Sequence, residues 1–217
     1  MRNRSQFYSL LARLFRVEVD QDLLNKMMAM NFPSAAGPSE LAGGYGRMSA
    51  YLAKPGADPL TDLAVDYAHT FLGAGIAQGT VAHPYESVYT STERLMCQDA
   101  CDQMQALFLG KGLSCDGSLD MPEDHISFEL EYMAHLCADA IPLCKSKDAG
   151  ICQRSFAEQK QFLRDHLLNW IPEFCSDIKK CAATGFYLGA ADMLLGFLHL
   201  DESLLENLMA ESDEPAA

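Results

Sequence analysis

Residues 120–136, DMPEDHISFELEYMAHL, decide the reading of the fold. Asp120 stands where an N-cap would, Pro122 falls in the first turn, and Glu123 three residues after the aspartate resembles a capping box. From there Ile126, Leu130, Met133 and Cys137 recur at helical spacing and make one apolar face. The pattern predicts a helix that starts at Asp120 and ends near Pro142, where the missing amide N–H stops the ladder.

The same period runs outward in both directions. Phe7, Leu10, Leu11, Leu14 and Phe15 form one stripe, and Asp20 caps a second one of Leu23, Leu24, Met27 and Met28. After a break at 31–38, a weaker helix passes through Tyr45, Met48 and Leu52, where Gly43, Gly44 and Gly46 each cost about 1 kcal/mol relative to Ala. Asp58 caps a stronger helix, with Pro59 in its first turn and Leu60, Leu63, Ala64, Tyr67 and Phe71 on one face. Residues 73–89, GAGIAQGTVAHPYESVY, are too rich in Gly to stay helical and predict a long ordered loop or hinge. A helix follows from about Thr92 to Leu109, and then Gly110, Gly112, Cys115 and Gly117 mark a candidate lobe boundary within 110–122. Further apolar patterns are Phe156, Leu163, Leu167 and Trp170; Ile171, Phe174, Ile178 and Cys181; and Leu188, Ala191, Leu195 and Leu198. A last short helix carries Leu204, Leu205 and Leu208 before an acidic tail frays. No segment alternates with period two and no internal repeat occurs, so the class is all-α, a bundle of about eight to ten helices.

With 49% apolar and 21% charged residues in 217, the chain has the composition of an ordinary globular domain that folds as one unit over 1–217. Thirty acids against 16 bases leave a net charge of −14, which repels phosphate backbones and anionic headgroups, so no nucleic acid is expected as a partner. Residues 1–16 carry Arg2, Arg4, Arg13 and Arg16 and no acid, whereas 201–217 carry six acids and no base, so the two ends attract each other weakly. No stretch reaches the roughly 18 apolar residues of a membrane span and the start lacks a secretory signal, which predicts a cytoplasmic protein without stable membrane insertion. The eight Cys are irregularly spaced within helical patterns, as expected of free, buried thiols in a reducing compartment.

Few motifs carry chemistry. Cys97 and Cys101 stand at i and i+4 of the expected helix and would face one way, the beginning of a soft-metal site, but no second pair completes a tetrahedral set. His125 with Glu129 and Glu131 with His135 suit surface pairing on a helix better than any metalloenzyme signature. Gly73, Gly75 and Gly79 lack the Lys-Ser/Thr ending of a phosphate loop, and Ser87 lacks the glycines of a nucleophile elbow. Neither catalytic residues nor a cofactor or metal are therefore expected. What remains are two polar-aromatic clusters at helix breaks, HPYESVY at 83–89 and MPEDHISFELEYMAHL at 121–136. Asp124 and His125, expected at the surface, either satisfy local backbone groups at a helix start or bind a partner. Trp170, where two apolar patterns meet, is expected in the core.

At these residues the chain resembles the TorD/DmsD/NarJ family of redox-enzyme maturation chaperones, nearest its TorD and DmsD branch. The resemblance covers FYSLLARLF, DYAHTFLG, PYESVY, PEDH with ELEYMAHL, HLLNWIPEF and FYLGAADMLLGFL in order. Pro122, Asp124 and His125 match the family's Glu-Pro-x-Asp-His pattern, with Met121 in place of its first Glu. The resemblance implies two unequal helical parts joined by the segment carrying the Asp-His pair. It also implies a non-enzymatic partner role: binding the precursor of a molybdopterin oxidoreductase catalytic subunit, by its twin-arginine leader or its body, and withholding export until the cofactor is inserted. The client-binding residues it points to are Pro84, Tyr85, Glu86, Ser87 and Tyr89 together with Pro122, Glu123, Asp124 and His125. Either a monomer or a domain-swapped dimer is compatible with a long hinge. The competing reading is a small helical metal-binding protein or enzyme using Asp124, His125, Cys97 and Cys101.

Overall fold

A computed structural model describes residues 2–32, 37–74, 81–115, 120–145 and 149–213. Among these the secondary structure is helical apart from one isolated antiparallel bridge, Tyr85 to His125. The helices are α1 (Arg2–Arg16), α2 (Gln21–Met28), α3 (Ser39–Ala53), α4 (Pro59–Phe71), α5 (Glu86–Thr90), α6 (Asp99–Gly110), α7 (Ile126–Lys145), α8 (Ala149–Phe162), α9 (Ile171–Cys181) and α10 (Gly185–Asp213). A π-helical turn, Leu163–Leu167, follows α8. None of the described helices is long and apolar enough to cross a membrane. Gly75, Gly79 and Gly117, and the tail beyond residue 213, lie outside the described residues.

The chain divides into two compact units, each made of separate stretches: 1–13, 85–170 and 198–217 in the first, 14–84 and 171–197 in the second. Residues 110–122 fall inside the first unit.

In the second unit Asp20 and Asp58 cap α2 and α4, each accepting a backbone N–H three residues on, from Leu23 at 2.8 Å and from Thr61 at 3.2 Å. Phe15, Phe71 and Phe174 meet with ring centroids 5.9–6.1 Å apart, and the Tyr67 hydroxyl donates to the Phe15 carbonyl at 3.0 Å. Gly44, which weakens α3 as an isolated helix, is what lets α3 lie against α10. A Cβ there would sit 2.6 Å from the Met193 backbone nitrogen, too close for any side chain.

The first unit is organised around buried polar groups as much as apolar ones. Arg4 pairs with Asp201 through both carboxylate oxygens, and its third contact is Gln159 Oε1 at 2.8 Å; the Tyr8 hydroxyl adds a bond to Asp201 at 2.7 Å. The attraction between the basic start and the acidic end is thus a buried ion pair, with both partners nearly inaccessible, and not a weak surface effect.

Several expectations are corrected. α10 is one helix of 29 residues that joins the Leu188–Leu198 pattern and the expected last short helix, with Asp201 inside it paired to Arg4. α7 starts at Ile126, not Asp120, and it carries Pro142 inside its last turn to end at Lys145. The 73–89 stretch contains a short helix, α5. The next helix starts at Asp99 instead of Thr92, since Arg94 and Cys97 take left-handed backbone conformations (φ 52° and 56°) that no helix accommodates. Two of the eight cysteines are not free: Cys144 and Cys152 form a disulfide that joins the end of α7 to the start of α8. Their Cα atoms lie 4.8 Å apart, within bonding reach.

Candidate functional site

The two clusters that stand apart in sequence meet in the first unit. The Glu86 N–H donates to the Asp124 carbonyl at 3.0 Å, and the Ser87 N–H donates to the Asp124 carboxylate at 2.9 Å. The first turn of α5 is therefore capped by an acid that lies thirty-seven residues further along the chain. The Ser87 hydroxyl accepts in turn from the Gln98 N–H at 3.0 Å, so one chain of bonds runs from Asp124 to the start of α6.

His125 caps its own helix. Its Nδ1 accepts the Ser127 N–H at 3.1 Å, which places the ring proton on Nε2, and the Ser127 hydroxyl lies 2.8 Å from the same nitrogen. The Tyr85 ring packs edge-on against His125, centroids 5.1 Å apart. Neither Asp124 nor His125 is at the surface, as the sequence reading expected; their relative exposures are 0% and 2%. Each side chain accepts a backbone N–H at a helix start, Asp124 from Ser87 and His125 from Ser127, and both are enclosed by the residues packed around them.

Against them lie Glu86, Glu129 and Trp170, together with His166 and Asn169, the two residues of this set that the sequence reading did not single out. Glu86 is buried, accepting from the Asn169 amide at 2.7 Å and bonded to His166 Nδ1 at 3.0 Å. Glu129 is buried too, and its Oε2 accepts the Trp170 indole N–H at 3.1 Å. It does not pair with His125, and His135 pairs with Asp139 instead of Glu131 (3.1 Å). Trp170 also donates to the His166 carbonyl at 2.7 Å and stacks on Tyr89, centroids 5.4 Å apart; its burial in the core is as expected.

Burial raises the Glu129 carboxyl well above the usual carboxylate range, and the neighbouring charge of Glu86 and a carboxyl–carboxyl hydrogen bond to it push the same way. Burial also raises Asp124, against the lowering effect of its Ser87 bonds. His166 sits in the π-helical turn, with its Nδ1 3.0 Å from Glu86.

Tyr85, Tyr89, Pro122 and Glu123 remain partly exposed around this buried set; Ser87 is buried with Glu86, and Pro84 is buried at the end of the second unit's run. Cys101 donates to Glu123 at 3.3 Å, and burial and that bond push its thiol up to about 12, so it is a poor thiolate ligand. Cys97 is exposed on a non-helical turn and does not share a helix face with Cys101. Asp124, His125, Cys97 and Cys101 therefore do not form the constellation that a metal or catalytic reading needs. Among the described residues no cluster of three or more potential ligands stands together.

Comparison with known proteins follows the same residues. The model of the nitrate reductase delta subunit family matches residues 35–176, a span that holds both loops. The chaperone protein TorD of Vibrio cholerae serotype O1 is 31% identical over 155 residues, covering 71% of this chain and 67% of its own. TorD of Shewanella piezotolerans is 28% identical over 221 aligned positions, with 96% and 94% covered. A solved structure of a candidate redox enzyme maturation protein from Archaeoglobus fulgidus covers 94% of this chain at 18% identity and a TM-score of 0.44, a likeness too loose to bear on function. The chain belongs to the nitrate reductase delta subunit family, among its TorD chaperones.

Proposed function

We propose that this chain binds the precursor of a molybdenum-containing oxidoreductase in the cytoplasm, through its twin-arginine leader, its catalytic body or both, and withholds export until the cofactor is in place. It performs no covalent chemistry in this role. The observation that carries the reading is its relation to proteins named TorD chaperones over both polar-aromatic loops. A surplus of acids, 30 against 16 bases, suits a receptor for a leader whose defining feature is paired arginines.

In this reading the client meets Tyr85, Tyr89, Pro122 and Glu123, while Asp124, His125, Glu86 and Ser87 hold those residues in place from beneath. The test is association of a synthetic leader at rising salt. Exposed charges are screened over about 8 Å at physiological ionic strength, so association slows while dissociation, governed by apolar contacts, changes less. Replacing both leader arginines by glutamine removes most of that salt effect. Binding that ignores both salt and arginines would overturn leader recognition and leave the body of the client as the partner.

A further inference from the structure

The second unit carries a groove of about 440 Å³, walled by Tyr51 of α3, by Asp62, Val65, Asp66 and His69 of α4, and by Ala183 and Thr184 just before α10. Two carboxylates stand in it with different duties. Both oxygens of Asp66 are taken by the Ala183 and Thr184 N–H groups, each at 2.8 Å, so this acid holds the groove's far wall. Asp62 is exposed. The Tyr51 hydroxyl oxygen is buried and has no hydrogen-bond partner. Its phenol is pushed up by burial and by the charges of Asp62 and Asp66, as expected of an oxygen facing two acids.

Along α4, Asp62, Val65 and His69 recur at helical spacing on one face, and Leu72 follows as the residue that caps the helix end. Val65 and Leu72 are each 64% exposed, far more than a core-facing position allows. The face thus begins with an exposed acid and continues, over roughly 15 Å, with open aliphatic surface.

We infer that this groove takes the guanidinium of a client arginine, while Val65 and Leu72 take the apolar residues that follow it in the same segment. An arginine fits better than a lysine. Its planar fork presents two N–H donors at once to the two oxygens of the exposed Asp62, and its aliphatic arm can lie along Val65 and the tyrosine ring. The inference rests on the leader-binding reading above and assigns arginine recognition to residues of the second unit, none of them in the two loops of the first.

The experiment uses the full chain and a labelled peptide of two adjacent arginines followed by a leucine–alanine stretch, beside its Gln-Gln counterpart, with fluorescence anisotropy as the readout. Asp62→Asn should weaken the arginine peptide roughly fivefold and leave the glutamine peptide unchanged. Val65→Ser combined with Leu72→Ser should weaken both. These positions are exposed, so circular dichroism should be unaltered. If the wild type prefers the arginine peptide and Asp62→Asn keeps that preference in full, the groove is the wrong site although leader recognition stands. If the wild type does not distinguish the two peptides, leader recognition itself fails and the arginine assignment with it.

Discussion

The carboxylate of Asp124 and the backbone N–H of Ser87 lie 2.9 Å apart, so an acid at the mouth of one helix serves as the cap of another. Truncating it leaves a buried donor unsatisfied, at a cost of about 1–3 kcal/mol. For a chain of this size Asp124→Ala should lower the melting temperature by roughly 2–4 °C per kcal/mol lost. Asp124→Asn keeps an acceptor oxygen in place and should retain most of the stability. Thermal unfolding of the pair, read with leader affinity, separates positioning from contact: a binding defect in Ala that Asn restores marks a positioning role.

Glu129 gives a pH dependence of defined sign. Its folded-state pKa is raised by burial, so the folded chain binds a proton that the unfolded chain releases at about 4.3. The stability this contributes is full below that value and is lost as pH rises toward the folded-state pKa. Glu129→Gln mimics the protonated carboxyl and should flatten the slope. Urea unfolding at a series of pH values measures it, and a variant with the wild-type slope would show that Glu129 is not the titrating group.

Trp170 is the chain's one tryptophan, so its native fluorescence should be blue-shifted from that of the unfolded chain. Trp170→Ala should cost about 3–5 kcal/mol. Trp170→Phe keeps a ring against Tyr89 but deprives Glu129 and the His166 carbonyl of their donor, and it should fall between the two in chemical denaturation.

The Cys144–Cys152 disulfide closes a short loop, for which the chain-entropy model gives on the order of 2–3 kcal/mol. Oxidised, unfolded protein should take up six alkyl groups by intact mass, and eight after reduction. Reduction should also lower the unfolding midpoint. Eight groups without reductant would show the pair open.

Most of the helices were legible because their apolar residues repeat at helical spacing, and Asp20 and Asp58 announce themselves as caps by local chemistry. What failed was wherever a distant residue decided the matter. α5 has five residues and no cap of its own, so nothing in 73–89 reveals that Asp124 will supply one. The two patterns that make up α10 read as separate helices, and nothing local to Asp201 announces that it lies inside one helix and meets Arg4. The left-handed turns at Arg94 and Cys97 carry no glycine to signal them. At the site, the Asp-His pair and the PYESVY loop were found from their residue types, but their burial was not, because burial depends on Glu86, Glu129, His166 and Asn169 closing beneath them. His166 and Asn169 stand among Leu163, Leu167 and Trp170, which read as core, and their acid partner Glu86 lies some eighty residues away in the chain.

The chain passes between its two compact units at residues 13/14, 84/85, 170/171 and 197/198, and two of those passages fall inside α1 and α10. Neither unit is a continuous piece of the gene. Each unit is closed by a stretch late in the chain, 171–197 for the second and 198–217 for the first, so during synthesis neither can complete its packing until that stretch has been made.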